Sequence, residues 1–223
     1  SGSTIGLNTS GALSSTGAIN SGGAMTISSP TSVTLTSLSS GGTLNVNASG
    51  ALTASGPLSA AGNTSITASG GISAPSLISG GSTTLSALAG QILLANLNST
   101  NSVIAQAQAI DLASTGPLQF LVANATAGNL RVATTGDLTY DPLAASLIPG
   151  GGFFSATGTV TLSSSNGNLT LPRVSGNGVA LLAPTGIITT GGPVTSTDFL
   201  TIQTAGVYSG AQGASATGNL SID

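Results

Sequence analysis

Gly50-Ala51-Leu52-Thr53-Ala54-Ser55-Gly56-Pro57-Leu58-Ser59-Ala60-Ala61-Gly62-Asn63-Thr64-Ser65-Ile66-Thr67-Ala68-Ser69-Gly70-Gly71-Ile72 is the stretch that decides the fold. Leu52, Leu58 and Ile66 are three apolar stations separated by Gly- and Ser-rich punctuation, and Ile72 begins the cycle again twenty residues after Leu52. Around each station apolar and hydroxyl residues alternate, as in Ser65-Ile66-Thr67. Alternation with a period of two places apolar side chains on one face of a short strand and polar ones on the other. A self-similar period of 20 to 50 residues marks a solenoid, whose repeats bury their apolar faces only against their neighbours.

Working outward, the stations continue in both directions. The first set reads Leu7, Ile27, Val46, Ile66, Leu85. The second reads Leu13, Val33, Leu52, Ile72, Ile92, Leu112, and the third Ile19, Leu38, Leu58, Ile78, Leu97, Leu118, Leu138. Near the C-terminus two sets step by twenty: Val160, Ala180, Leu200, Leu220 and Leu162, Leu182, Ile202, Ile222. Three stations per coil predict three short strands per coil. If equivalent strands pair in parallel at about 4.8 Å, the interior is filled by stacked aliphatic columns. The expected fold is all-β: a parallel β-helix, right-handed by crossover chirality, of roughly eleven coils and about 50 Å. Pairs such as Ser49-Gly50, Ser69-Gly70, Gly56-Pro57, Gly116-Pro117 and Gly192-Pro193 read as corners, with Gly supplying positive φ and Pro a fixed φ. One β-helical segment is expected over residues 1–223, with an irregular coil or loop around 140–156. There Tyr140-Asp141-Pro142 and Pro149-Gly150-Gly151-Gly152-Phe153-Phe154 break the pattern, which resumes near Gly158. The chain opens and stops inside a repeat, and reads as a piece of something longer.

Composition narrows the chemistry. Of 223 residues, 39% are hydrophobic and 3% charged: five Asp and two Arg, with no Glu, Lys, His or Cys. Disordered chains are typically charged and poor in aliphatics, the reverse of this one. Without His, Cys, Glu or Lys there is no nucleophile–His triad, thiolate or imidazole metal site, Schiff base or Glu pair. The chain is therefore read as a non-enzyme without cofactor. A net charge of −3 and no basic stripe argue against nucleic acid. No apolar run approaches the roughly 20 residues of a membrane span.

Motifs such as Gly50-Ala51-Leu52-Thr53-Ala54-Ser55-Gly56-Pro57-Leu58, Gly62-Asn63-Thr64-Ser65-Ile66-Thr67-Ala68-Ser69-Gly70-Gly71-Ile72 and Gly167-Asn168-Leu169-Thr170-Leu171 resemble the shaft repeats of filamentous-haemagglutinin-type adhesins. These are large exoproteins of Gram-negative two-partner secretion. The resemblance implies an export-competent β-helical fibre at the bacterial cell surface, passed through an outer-membrane transporter and facing a host or neighbouring-cell receptor or glycan. The Asn-Pro-Asn-Leu and Asn-Pro-Asn-Gly-Ile signatures of that family's secretion domain are absent, so a shaft segment is implied. A self-associating matrix or filament subunit, stacking end to end through unpaired strand edges, is the alternative. A carbohydrate-active β-helix enzyme ranks third, since it would need several Asp in one groove.

Few residues stand out as candidates. Tyr140, Phe153 and Phe154 in the loop, with Val179, Leu181 and Phe199 in the outward phase of a twenty-residue register, form a candidate partner-contact patch. A one-residue slip would instead turn Val179 and Leu181 inward. Asp111 and Arg131, twenty apart and flanked by apolar residues, are expected to meet on adjacent coils as an exposed ion pair. Arg173 is expected to be solvated. Asp137 and Asp141 are read as solvated turn residues rather than a Ca²⁺ site, which wants six or more oxygens. Seven Asn-X-Ser/Thr sequons, at Asn8, Asn47, Asn63, Asn98, Asn124, Asn168 and Asn219, are weak evidence of glycosylation in so Ser- and Thr-rich a chain. The Thr-X-Thr stretches do not recur every coil in one column, so an ice-binding face is set aside.

Overall fold

The computed structural model describes residues 3–142 and 151–223. The chain winds as a parallel β-solenoid of about ten turns, with three strand-bearing faces per turn. The first face begins Ile5–Asn8, Met25–Ser29, Leu44–Ala48, Thr64–Ala68. The second begins Leu13–Ser14, Val33–Leu35, Ala51–Ala54, Gly71–Ala74, and the third Ala18–Ser21, Ser37–Ser40, Leu58–Ala60, Leu77–Ser79. Strands pair in parallel with their equivalents in neighbouring coils, so the ladder hydrogen bonds run along the rod; on the third face the ladder breaks after Leu97–Ser99, which pairs with Leu77–Ser79 but not, as the expected column had it, with the strand at Leu118. Within Leu44–Ala48 residues alternate strictly between buried and exposed, as the sequence pattern requires.

The aliphatic columns are the core. Leu7, Ile27, Val46, Ile66 and Leu85 stack as expected on the first face. Leu13, Val33, Leu52, Ile72 and Ile92 do so on the second.

Three positions depart from the expected columns. On the second face Ile92 pairs with Ile110, and Leu112 lies over Leu94. The cause is the corner after Ala87, where the register shifts: Ala87 pairs with Ala107 but Gln91 with Ala109, so two residues bulge out and Leu88 is 62% exposed. On the third face Leu77, not Ile78, continues the column from Leu58 to Leu97, and Ile78 is 42% exposed. Near the C-terminus Leu162 pairs with Leu181 and Leu181 with Ile202, steps of nineteen and twenty-one. Val160, Val179 and Leu200 likewise stack, and Ala180 and Leu182 take the outer side.

The corner residue explains these slips. Two positions after a column residue comes a small side chain that turns inward at the bend: Ser40 after Leu38, Ser79 after Leu77, Ser164 after Leu162, Ala183 after Leu181. Ser40 Oγ lies 2.9 Å from the carbonyl oxygens of both Gly23 and Thr43, which share its single proton, and accepts from Gly42 N at 3.3 Å. Ser79 reaches Gly62 O at 3.1 Å in the same way. Such a serine satisfies corner backbone groups that the ladder leaves over. Were Ile78 or Leu182 inward, Gly80 or Pro184 would occupy that place.

The glycines serve closeness more than handedness. Positive φ occurs at Gly71, Gly151 and Gly213, and not at the other corner glycines described. What excludes a side chain at Gly41, Gly80 and Gly90 is the coil beneath: a Cβ there would collide with the backbone of Gly22, Ala61 and Gly70. The partner of this device is the Asn or Asp that follows many corner glycines. Asn63 Oδ1 accepts from Ser82 N (2.9 Å), Asn129 from Thr159 N (2.9 Å), Asp137 from Asn168 N (2.7 Å) and Asn168 from Ile187 N (2.9 Å). The Gly-Asn motif thus stitches one coil to the next, which gives the sequons at Asn63 and Asn168 a structural reason.

Mid-rod the interior changes. Ala105 and Ala123 follow Leu85 in its column on the first face, and the space is filled by Phe120 and Phe154, with ring centroids 5.6 Å apart at 53°. Ala123 pairs with Phe154, a step of thirty-one residues; of the irregular stretch expected around 140–156, residues 143–150 lie outside the described residues. The pattern resumes at Phe153–Ala156, earlier than Gly158.

One interior hydroxyl is out of place. Thr64 continues the column of Met25 and Leu44, is 1% exposed, and its Oγ1 has no hydrogen-bond partner among the described residues. An unsatisfied buried hydroxyl costs about 1–3 kcal/mol. Thr64→Val is therefore expected to stabilise the chain by about 1 kcal/mol, read as a higher denaturation midpoint in urea.

Candidate functional site

The rod's outer surface is built from ladders. On the first face one outward column runs unbroken from Asn8 through Ser28, Asn47, Thr67, Ser86, Gln106 and Asn124 to Ser155, Ser175, Thr195 and Ser215. On the second, Ser14, Thr34, Thr53 and Ser73 do the same before Leu93. No ionisable side chain precedes Asp111 in the sequence. Hydroxyls and amides hydrogen-bond water and carry no charge for general acid–base or electrostatic catalysis.

The charged residues lie beyond. Asp111 and Arg131 pair in register, with Nη1 2.7 Å from Oδ1 and both side chains about half exposed. Such a pair is worth about 0–1 kcal/mol. Arg131→Ala is expected to change stability by less than about 1 kcal/mol, with the difference shrinking in 1 M NaCl. Asp137 is occupied by the Asn168 amide, and among the described residues no three carboxylates gather as a metal site.

The expected contact patch divides. Phe154, Val179 and Leu181 are buried at 0–1% exposure and belong to the core; for Val179 and Leu181 this is the inward turn that a one-residue slip produces, and Phe154 packs inside on Phe120. Phe199 is half-buried with its ring against Gly178, where a Cβ would collide with it. Tyr140 and Phe153 remain at the surface, half-buried, at the two ends of the insertion. Phe153 is the last of a short apolar column, Ile104, Val122, Phe153, in which Val122 is buried, and Arg173 pairs with Phe153 one coil on. The Arg173 guanidinium carbon lies 4.9 Å from the Phe153 ring centroid. Arg173 is exposed, as expected, but it is stacked rather than freely solvated.

These residues frame a groove of about 440 Å³ at the corner between the third and first faces. Tyr140, Arg173 and Gln212 line it, over a floor of Pro172, Gly191 and Gly192. A Cβ at Gly191 would sit 3.0 Å from the Tyr140 hydroxyl, and one at Gly192 would sit 3.0 Å from Arg173 Cβ. The floor is bare backbone because those two side chains close over it. Sequence reasoning missed Gly191, Gly192 and Gln212. The available signal was the Gly191-Gly192-Pro193 run two coils after the insertion, which reads equally well as a plain corner. Four further surface grooves are lined by Ser, Thr, Asn, Gln, Ala, Gly, Leu and Pro, with no ionisable group.

Compared with known proteins, residues 31–73 match a family model described as "Repeats of unknown function (DUF5649)". That stretch runs from just before Val33–Leu35 into Gly71–Ala74, two turns of the solenoid. No curated protein and no solved structure matches the chain.

Proposed function

We propose that this chain is a non-enzymatic structural shaft segment of a secreted bacterial surface adhesin or exoprotein fibre. The observation that carries this reading is the combination of a continuous aliphatic interior with outer ladders of hydroxyls and amides that are free of charge over the first 110 residues. A solenoid held by nearest-neighbour coil contacts is stiff and extends by repetition, which suits the display of something at its tip. Exposed large apolar side chains such as Ile78, between Ser59 and Asn98, and Leu93, between Ser73 and Asp111, stand among polar partners, which suits a solvated rod. The resemblance of the Gly-Ala-Leu-Thr and Gly-Asn-Leu-Thr motifs to filamentous-haemagglutinin-type repeats supplies the extracellular setting. Antibodies raised against the chain are expected to label intact producing cells. Labelling that needs permeabilised cells would remove the surface assignment. Hydrolysis of acidic polysaccharides by the purified chain would remove the non-enzymatic one.

A further inference from the structure

We propose that the Tyr140–Arg173 groove binds the carboxylate of an acidic sugar residue, a uronic acid unit. Among the described residues Arg173 forms no ion pair, although Asp111 and Arg131 show that this surface can make one. Its guanidinium is held over the Phe153 ring, one coil below in register. That stacking restricts a long side chain before any ligand arrives and leaves the donor edges of the planar fork available. A fork of this geometry pairs with a planar carboxylate through two parallel hydrogen bonds. A single cation with no lysine in the whole chain suits a monoanion better than a phosphate dianion.

The rest of the groove suits a sugar ring. The Tyr140 hydroxyl and the Gln212 amide provide neutral donors and acceptors for ring hydroxyls, and the Tyr140 ring offers an apolar side. Gly191 and Gly192 leave room for the Tyr140 and Arg173 side chains to sit down on the next coil, which fixes where both present their polar ends. A volume of about 440 Å³ lies at the low end of small-molecule clefts. The molecule's net charge of −3 opposes an anion at long range, so weak binding that depends on the local fork is expected.

The test uses the 223-residue chain and three probes with the same ring: D-glucuronate, D-glucose and glucose 6-sulfate, titrated by NMR at low salt. Glucuronate is expected to shift the resonances of Tyr140, Arg173 and Gln212, and to bind at least tenfold more tightly than glucose. Arg173→Ala is expected to weaken glucuronate binding at least tenfold and Tyr140→Phe about threefold, with Arg131→Ala unchanged. Should Arg173→Ala fail to fold, Arg173→Lys keeps the charge without the fork and is expected to lose about fivefold. Equal binding of glucose and glucuronate, or an Arg173→Ala protein that binds as the parent does, overturns the proposal. Tighter binding of the sulfate ester overturns the assignment to a carboxylate. The titration is done on purified protein, so its failure leaves the surface-shaft reading untouched.

Discussion

Leu181→Asp is expected to unfold the coils around it, and Leu182→Asp to be nearly silent. Leu181 is fully buried in the column between Leu162 and Ile202, whereas Leu182 lies on the outer side over Ser163. An ionised carboxylate in the interior carries a penalty of several kcal/mol, added to about 2–3 kcal/mol of lost Leu burial. That sum rivals the 5–15 kcal/mol total stability of an ordinary domain. Coupling in a solenoid is between nearest neighbours, so the damage should begin in the strands at Val160–Ser164 and Leu200–Thr204. Thermal melts followed by circular dichroism, with hydrogen exchange over these strands, report both variants. A Leu182→Asp protein that unfolds while Leu181→Asp does not would restore the twenty-residue register.

This pair also shows how far the sequence could be read. The period, the three faces and most interior columns follow from isolated aliphatics such as Ile66, Val33 and Leu38, each set between polar neighbours. Leu77-Ile78 and Leu181-Leu182 are different, because two adjacent large aliphatics satisfy a period-two pattern in either phase. What breaks the tie is the small residue two positions on, Ser79 or Ala183, which must fit inside the bend. That rule comes from corner hydrogen bonding and is invisible to hydropathy alone. The Ile92–Ile110 step was hidden for another reason: the Leu88 bulge adds residues at a corner without altering either flanking strand. The groove was least legible. Its floor and walls come from coils some twenty residues apart, and the Arg173–Phe153 contact depends on a register set after a step longer than the regular period.

The second large effect is expected at Phe154. Phe154→Ala removes a ring that is 1% exposed and packs on Phe120, in the part of the interior where neighbouring coils contribute Ala105 and Ala123. Those alanines cannot expand into the void, so relaxation is limited and a cost of about 3–5 kcal/mol is expected. Phe153→Ala, one residue earlier and half-buried, removes the platform under Arg173 and is expected to cost about 1 kcal/mol. Urea denaturation of the two variants measures the difference. Equal losses would mean that the strand at Phe153–Ala156 faces the other way. The same comparison bears on the groove, because Phe153→Ala should leave the fold intact while freeing the guanidinium.

The stacking itself is tested most directly by cross-linking, which the absence of native cysteine makes clean. Ser65 and Thr84 are outward partners on adjacent coils of the first face, and Ile104 is the partner of Thr84 one coil further. Adjacent parallel strands lie about 4.8 Å apart, within disulfide reach, and strands two coils apart lie beyond it. A Ser65→Cys/Thr84→Cys protein is expected to close an intramolecular disulfide under mild oxidation in native buffer, and Ser65→Cys/Ile104→Cys to remain reduced. Closure of both pairs at equal rates, or of neither, would contradict a rod built from coils stacked one above the next.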